Sequence, residues 1–131
     1  MSRYCLDTVA YSYFKRGDSR IAALLDEADW IGIPVIVLGE LFAGFEHGVH
    51  RERNIRELEA FLSFPMVEVL QVNRQAAEMF GRIVADLRRR RRPLPVNDIW
   101  IAACCAHAGA TLLTWDQHFH DIPVVGCLVL K

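Results

Sequence analysis

The chain has 131 residues, 53% hydrophobic and 24% charged, a composition that excludes disorder and suits a single domain over 1–131. Fifteen Lys and Arg stand against sixteen Asp and Glu, so the net charge of −1 gives the surface as a whole no preference for a polyanion. No apolar run reaches the ~18 residues of a membrane span, no signal-peptide layout opens the chain, and no cysteines form a C-x-x-C pair. The expectation is a cytoplasmic protein with reduced core thiols.

Tyr4-Cys5-Leu6 is an apolar run ending at Asp7, which predicts a buried strand. Asp18 stands as an N-cap before Ile21, Leu24, Leu25 and Ala28 at helical spacing. Trp30 to Ile33 reads as a second strand, closed by Pro34. Val35 to Phe45 is apolar nearly all round, and Pro34 at its start favours a buried helix. From Arg51 to Phe64, Ile55, Leu58, Phe61 and Leu62 share one face of an amphipathic helix that Pro65 ends. Val67 to Val72 is rich in β-formers. A long helix from about Asn73 should turn Ala77, Phe80, Ile83, Val84 and Leu87 inward. Pro93 stops it after five consecutive arginines, Arg88, Arg89, Arg90, Arg91 and Arg92. Asn97 is the expected N-cap of an almost wholly apolar helix, Asp98 to Ala108, terminated by Gly109. Thr111 to Thr114 and Val124 to Leu130 read as the last strands. This alternation predicts an α/β fold with a mainly parallel sheet covered on both faces.

Four acids do not belong to a solvated surface. Asp7 terminates an apolar strand, Glu40 interrupts an apolar helix, Asp98 opens a buried one, and Asp116 follows a strand. In an open parallel sheet the carboxyl ends of strands border the ligand crevice. Each acid also has a structural reading: Asp7 as a helix cap, Asp98 as a first-turn acid facing the dipole, Asp116 as a turn residue. Glu40 is the hardest to explain that way, because an unpaired buried carboxylate is costly. Together they suggest carboxylates converging in a pocket that a hard divalent cation would neutralise.

The segments Leu6-Asp7-Thr8, Leu38 to Gly44, Pro95 to Ala103 and Leu113-Thr114-Trp115-Asp116 stand in the order and spacing of PIN-domain ribonucleases. Over essentially the whole chain the sequence resembles the VapC-type toxins of bacterial toxin–antitoxin pairs. The resemblance implies a three-layer α/β/α PIN-like fold with about five strands. It also implies a Mg²⁺- or Mn²⁺-dependent endoribonuclease, usually a homodimer and inhibited by a small cognate antitoxin. Asp7, Glu40, Asp98 and Asp116 carry over as the acidic site, with Thr114 as a polar supporter. Val9 departs from the pattern, since many relatives carry Asn or Ser there. Phosphodiester hydrolysis needs an activated water and a neutralised phosphate. On that chemistry Asp7 and Asp98 are the expected direct metal ligands, Asp116 a direct or water-mediated one, and Glu40 the residue that positions or deprotonates water.

The arginine run exceeds what a helix end needs and points to RNA-backbone contact, with a solvated helix end as the alternative. His47, His50, His118 and His120 read as surface or loop residues, and Trp100 as core. Trp115 is open between core packing and base stacking. A phospho-acceptor domain would need a lysine after an interior strand, and a haloacid-dehalogenase-like phosphatase a second acid at Val9; both are missing. A catalytically silent RNA- or protein-binding module of the same fold is the alternative.

Overall fold

The structure, a computed structural model, describes residues 2–131. Strand β1 (Arg3–Leu6) ends at Asp7, whose carboxylate caps α1 (Thr8–Lys15) by accepting the Ala10 N–H. Asp18 caps α2 (Ser19–Asp26) as its sequence position predicts, accepting from the Arg20 and Ile21 amides. Strand β2 (Trp30–Pro34) runs into α3 (Val35–His47) without a break, because Pro34 ends one and begins the other. Then come α4 (Arg51–Leu62) and β3 (Val67–Leu70), followed by α5 (Arg74–Arg90), which the Asn73 side chain caps. The chain closes through α6 (Val96–Ala108), β4 (Thr111–Thr114), a 3-10 turn (Gln117–Asp121) and β5 (Gly126–Val129).

The five strands form one sheet in the order β3-β2-β1-β4-β5, every pair parallel. The register sets Leu6 opposite Leu113 in the centre. Crossovers between parallel strands are right-handed. The chain steps outward from β1 through β2 to β3, which puts α1 to α4 on one face; the return to β4 puts α5 and α6 on the other. The result is the expected three-layer α/β/α arrangement. Its core is the apolar run of α6, with Ile99, Ile101, Ala102, Ala103, Cys104 and Cys105 all buried, packed with Leu6, Ile33, Leu112 and Leu113 of the sheet.

Several local expectations are corrected. Asn97 is not the N-cap of α6: the helix starts two residues earlier than expected, at Val96 with Pro95 at the cap, and Asn97 lies in its first turn. Pro at that point supplies the extended backbone that sends the chain into the helix, so no side-chain cap is used. On α5 the buried small residue is Ala76 and not Ala77, which is exposed. Strands β3 and β5 are shorter than their β-rich stretches, since only the residues that find a sheet partner are counted in them. The arginine run carries an unexpected backbone: α5 ends in Arg91 with φ 53°, a left-handed cap where glycine is usual.

Candidate active site

The strand order reverses between β1 and β4. The connection leaving β1 moves toward β2, the one leaving β4 toward β5, so a crevice opens at their carboxyl ends. Asp7 follows β1 directly and Asp116 stands two residues after β4. Glu40 reaches the same edge from α3 and Asp98 from the first turn of α6. All four acids line one cleft of about 330 Å³, together with Thr8, Val9, Ile101 and Phe119. The structure thus brings together the four residues the sequence singles out.

Hydrogen bonds fix three of the acids. Asp7 is buried, and its two oxygens have separate duties: Oδ1 accepts the Ala10 N–H at 2.8 Å and Oδ2 the Thr114 hydroxyl at 2.5 Å. Thr114 is itself fully buried, and its Oγ1 accepts the Asp116 N–H at 3.0 Å. One hydroxyl therefore ties the Asp7 carboxylate to the backbone of Asp116. Glu40 accepts the Thr8 hydroxyl at 2.5 Å and the Asn97 amide at 3.4 Å. Asp116 caps the 3-10 turn through the His118 N–H, and the His118 ring lies 2.9 Å from the same carboxylate oxygen.

These contacts oppose an unfavourable electrostatic setting. Burial raises the pKa of Asp7, against the Thr114 and Ala10 hydrogen bonds that lower it, and the charges of Asp116 and Glu40 add to the rise. Asp98 accepts no comparable hydrogen bond. Desolvation, then repulsion from Asp116, Glu40 and Asp7, pushes it up to about 6, with His118 pulling the other way. Among the described residues no three His, Cys, Asp or Glu side chains are drawn close enough to cage an ion. The four carboxylates share the cleft without forming such a cage.

Thr8, Asn97 and His118 are contributors that sequence reasoning left aside. Thr8 counts there only as part of a motif, Asn97 as a cap, and His118 as a loop residue. Each is a polar neighbour of one of the four acids, one or two positions away, and that adjacency was the available signal. The arginine run lies outside the cleft. Arg89 and Arg90 pair with Asp86 at 3.2 and 2.7 Å, and Arg90 also donates to the Asp121 carbonyl. Arg88, Arg91 and Arg92 rim a separate, largely apolar recess with Val84, Leu94 and Val96. Trp100 stacks on Phe80 at 3.8 Å between ring centroids. Trp115 is taken by Tyr13, stacked at 4.2 Å, with Arg20 over its ring, which resolves its two readings in favour of packing.

The PIN domain family matches residues 4–125. Over 116 residues the chain is 32% identical to ribonuclease VapC2 of Haemophilus influenzae, covering 87% of this chain and 86% of that protein. This chain is a PIN-domain protein of the VapC ribonuclease family. Another VapC relative, the tRNA(fMet)-specific endonuclease VapC of Salmonella typhimurium, is 36% identical over 92 residues, 70% of this chain and 68% of that protein. The crystal structure of VapBC2 from Rickettsia felis bound to a promoter DNA fragment is similar throughout. Its TM-score is 0.85 at 27% identity, over 98% of this chain and 99% of that one. The PIN fold of the present chain is thus shared from one edge of the sheet to the other. Among its described residues no helix is long and apolar enough to cross a membrane.

Proposed function

We propose that this PIN-domain chain is the toxin of a toxin–antitoxin pair, a Mg²⁺- or Mn²⁺-dependent endoribonuclease acting in the cytoplasm as a homodimer. The observation that carries the reading is the convergence of Asp7, Glu40, Asp98 and Asp116, from four separate elements, on one cleft at the switch point of the sheet. A small cognate antitoxin is the partner, by likeness to the VapBC structures from Rickettsia felis and Salmonella typhimurium.

The donor set fits a hard divalent cation. It consists of carboxylate oxygens, and no thiol lines the cleft, which favours Mg²⁺ or Mn²⁺ over a softer metal. Asp7 and Asp98 would hold the ion directly and Asp116 directly or through water. When bound, such an ion supplies neutralisation of the phosphate and polarisation of water. The remaining work belongs to the chain. The Thr114 and Ala10 hydrogen bonds aim the Asp7 carboxylate and oppose the rise in its pKa that burial causes. Thr8 and Asn97 hold the Glu40 carboxylate where it orients the attacking water and takes its proton. Phe119 and Ile101 give the cleft an apolar wall that strengthens each of these interactions.

Incubation of the purified chain with total bacterial RNA tests the reading. Discrete cleavage with Mg²⁺ or Mn²⁺ that chelation abolishes is the expected result. Tight RNA binding without cleavage under either metal would instead assign the chain to the catalytically silent module.

A further inference from the structure

A second polar recess, of about 350 Å³, lies beyond the acid cleft between α1, α3 and α4. Three cations line it, Lys15, Arg16 and Arg53, against one carboxylate, Glu57. Glu57 is shared by Lys15 at 3.8 Å and Arg53 at 3.9 Å, both loose and partly exposed pairs. Arg16 lies over the Tyr13 ring at 5.1 Å. The recess is therefore net positive in a chain whose overall charge is −1.

The recess also holds an unsatisfied donor. Tyr11 is 97% buried, the complement of its 3% exposure, and lines the recess. Its hydroxyl has no hydrogen-bond partner among the described residues. Burial, reinforced by the charge of Glu57, raises its pKa to about 12, so it stays protonated and able to donate. A buried hydroxyl is ordinarily paired, and an unpaired donor lining a net-positive recess is suited to an anionic acceptor.

Position links the recess to the cleft. Thr8 lines the cleft and Lys15 the recess, seven residues or ~10 Å apart along one helix. Ser12 lines the recess between them, its hydroxyl donating to the Thr8 carbonyl at 3.1 Å. On α3 the consecutive residues Glu40 and Leu41 line the cleft and the recess respectively. A polyanion whose scissile bond sits among four carboxylates needs cationic anchorage nearby, and this seam leads directly to it.

We propose that the Tyr11–Lys15–Arg53 recess is a phosphate site holding the RNA backbone beside the cleaved bond. The inference rests on the ribonuclease reading for its substrate and on the recess alone for its chemistry. Phosphate contacts position a strand without reading its sequence, so the site sets where RNA lies and not which base is cut.

Two measurements test it. Inorganic phosphate, titrated into the metal-free protein, should raise its Tm, and Lys15→Gln combined with Arg53→Gln should abolish that rise. Tyr11→Phe should reduce it while leaving the fold intact; an equal Tm response to phosphate in the parent and all variants overturns the site. Binding of a short labelled single-stranded RNA of mixed sequence is then measured on the Asp98→Asn background. Lys15→Gln with Arg53→Gln should weaken it about tenfold and lower the log–log salt slope by about 0.7, the loss of one phosphate contact. An unchanged slope overturns the proposal, as does unchanged RNA binding with loss of antitoxin binding, which would assign the recess to the protein partner. Cleavage of total RNA by the parent is scored separately. Its absence overturns the ribonuclease reading, whereas a cleaving parent with phosphate-indifferent variants overturns the phosphate site alone.

Discussion

Thr114 is the smallest side chain at the site with two obligations, a donor to Asp7 and an acceptor from the Asp116 backbone. Thr114→Val keeps the shape and breaks both bonds. It leaves a buried carboxylate short of a donor, which costs about 1–3 kcal/mol. Urea denaturation should show that loss, and Thr114→Ser should restore most of it; equal stability of the Val variant would mean the hydroxyl does nothing. Asp98 behaves oppositely, because its raised pKa records repulsion and burial with no compensating bond. Between about pH 4 and pH 6 the folded protein keeps a proton that the unfolded chain has released. The metal-free protein should therefore lose stability as pH rises through that window, by the order of 1 kcal/mol once solvent screening is allowed for. Asp98→Asn should flatten that part of the pH profile and melt no lower than the parent at pH 7. Mg²⁺ should stabilise the parent and barely move the variant. A variant that is destabilised yet still cleaves RNA would return Asp98 to the role of a dipole-facing acid.

At the scale of elements, α5 divides the arginine run into two jobs. Arg89 and Arg90 are held by Asp86, three and four residues back, and so belong to the helix. Arg88, Arg91 and Arg92 face a recess and make no such pair among the described residues. Replacing these three by Gln should flatten the salt dependence of RNA binding with little effect on stability. The same change at Arg89 and Arg90 should lower the melting temperature slightly and leave the slope alone. Equal slopes in both sets would assign the whole run to the solvated helix end. Order and type of the elements were legible because apolar period and punctuation agree: Pro34 and Gly109 sit at element boundaries, and Pro65 and Pro93 in the connections that follow α4 and α5. Detail within α5 was not, because Ala76 and Ala77 are chemically identical and only the helix's seating on α6 decides which faces in. The acids were legible as misfits in apolar segments. Their helpers were not, since Thr8, Asn97 and His118 are unremarkable until the fold sets them against Glu40 and Asp116.

On the scale of the whole molecule, an acidic cleft with cationic ground on α1, α4 and α5 matches a protein that must admit a polyanion and be restrained by a partner. Expression of the chain alone should arrest growth of a bacterial host, and co-expression with its cognate antitoxin should relieve the arrest. Asp116→Asn at matched expression should grow normally. Unimpaired growth with soluble parent chain would count against the toxin reading.

The strand order has a consequence for the moment of synthesis. Of the five strands β1 emerges from the ribosome first yet occupies the middle of the sheet, and its neighbour β4 is translated only after α1 to α6. Thr114, which fixes the Asp7 carboxylate, follows it by 107 residues. Until β4 seats beside β1, Asp7 lacks its hydroxyl and the cleft lacks Asp116. A nascent chain therefore carries its acids unassembled past the RNA of the ribosome that makes it, and becomes a nuclease only once the last neighbour of its first strand has left the tunnel.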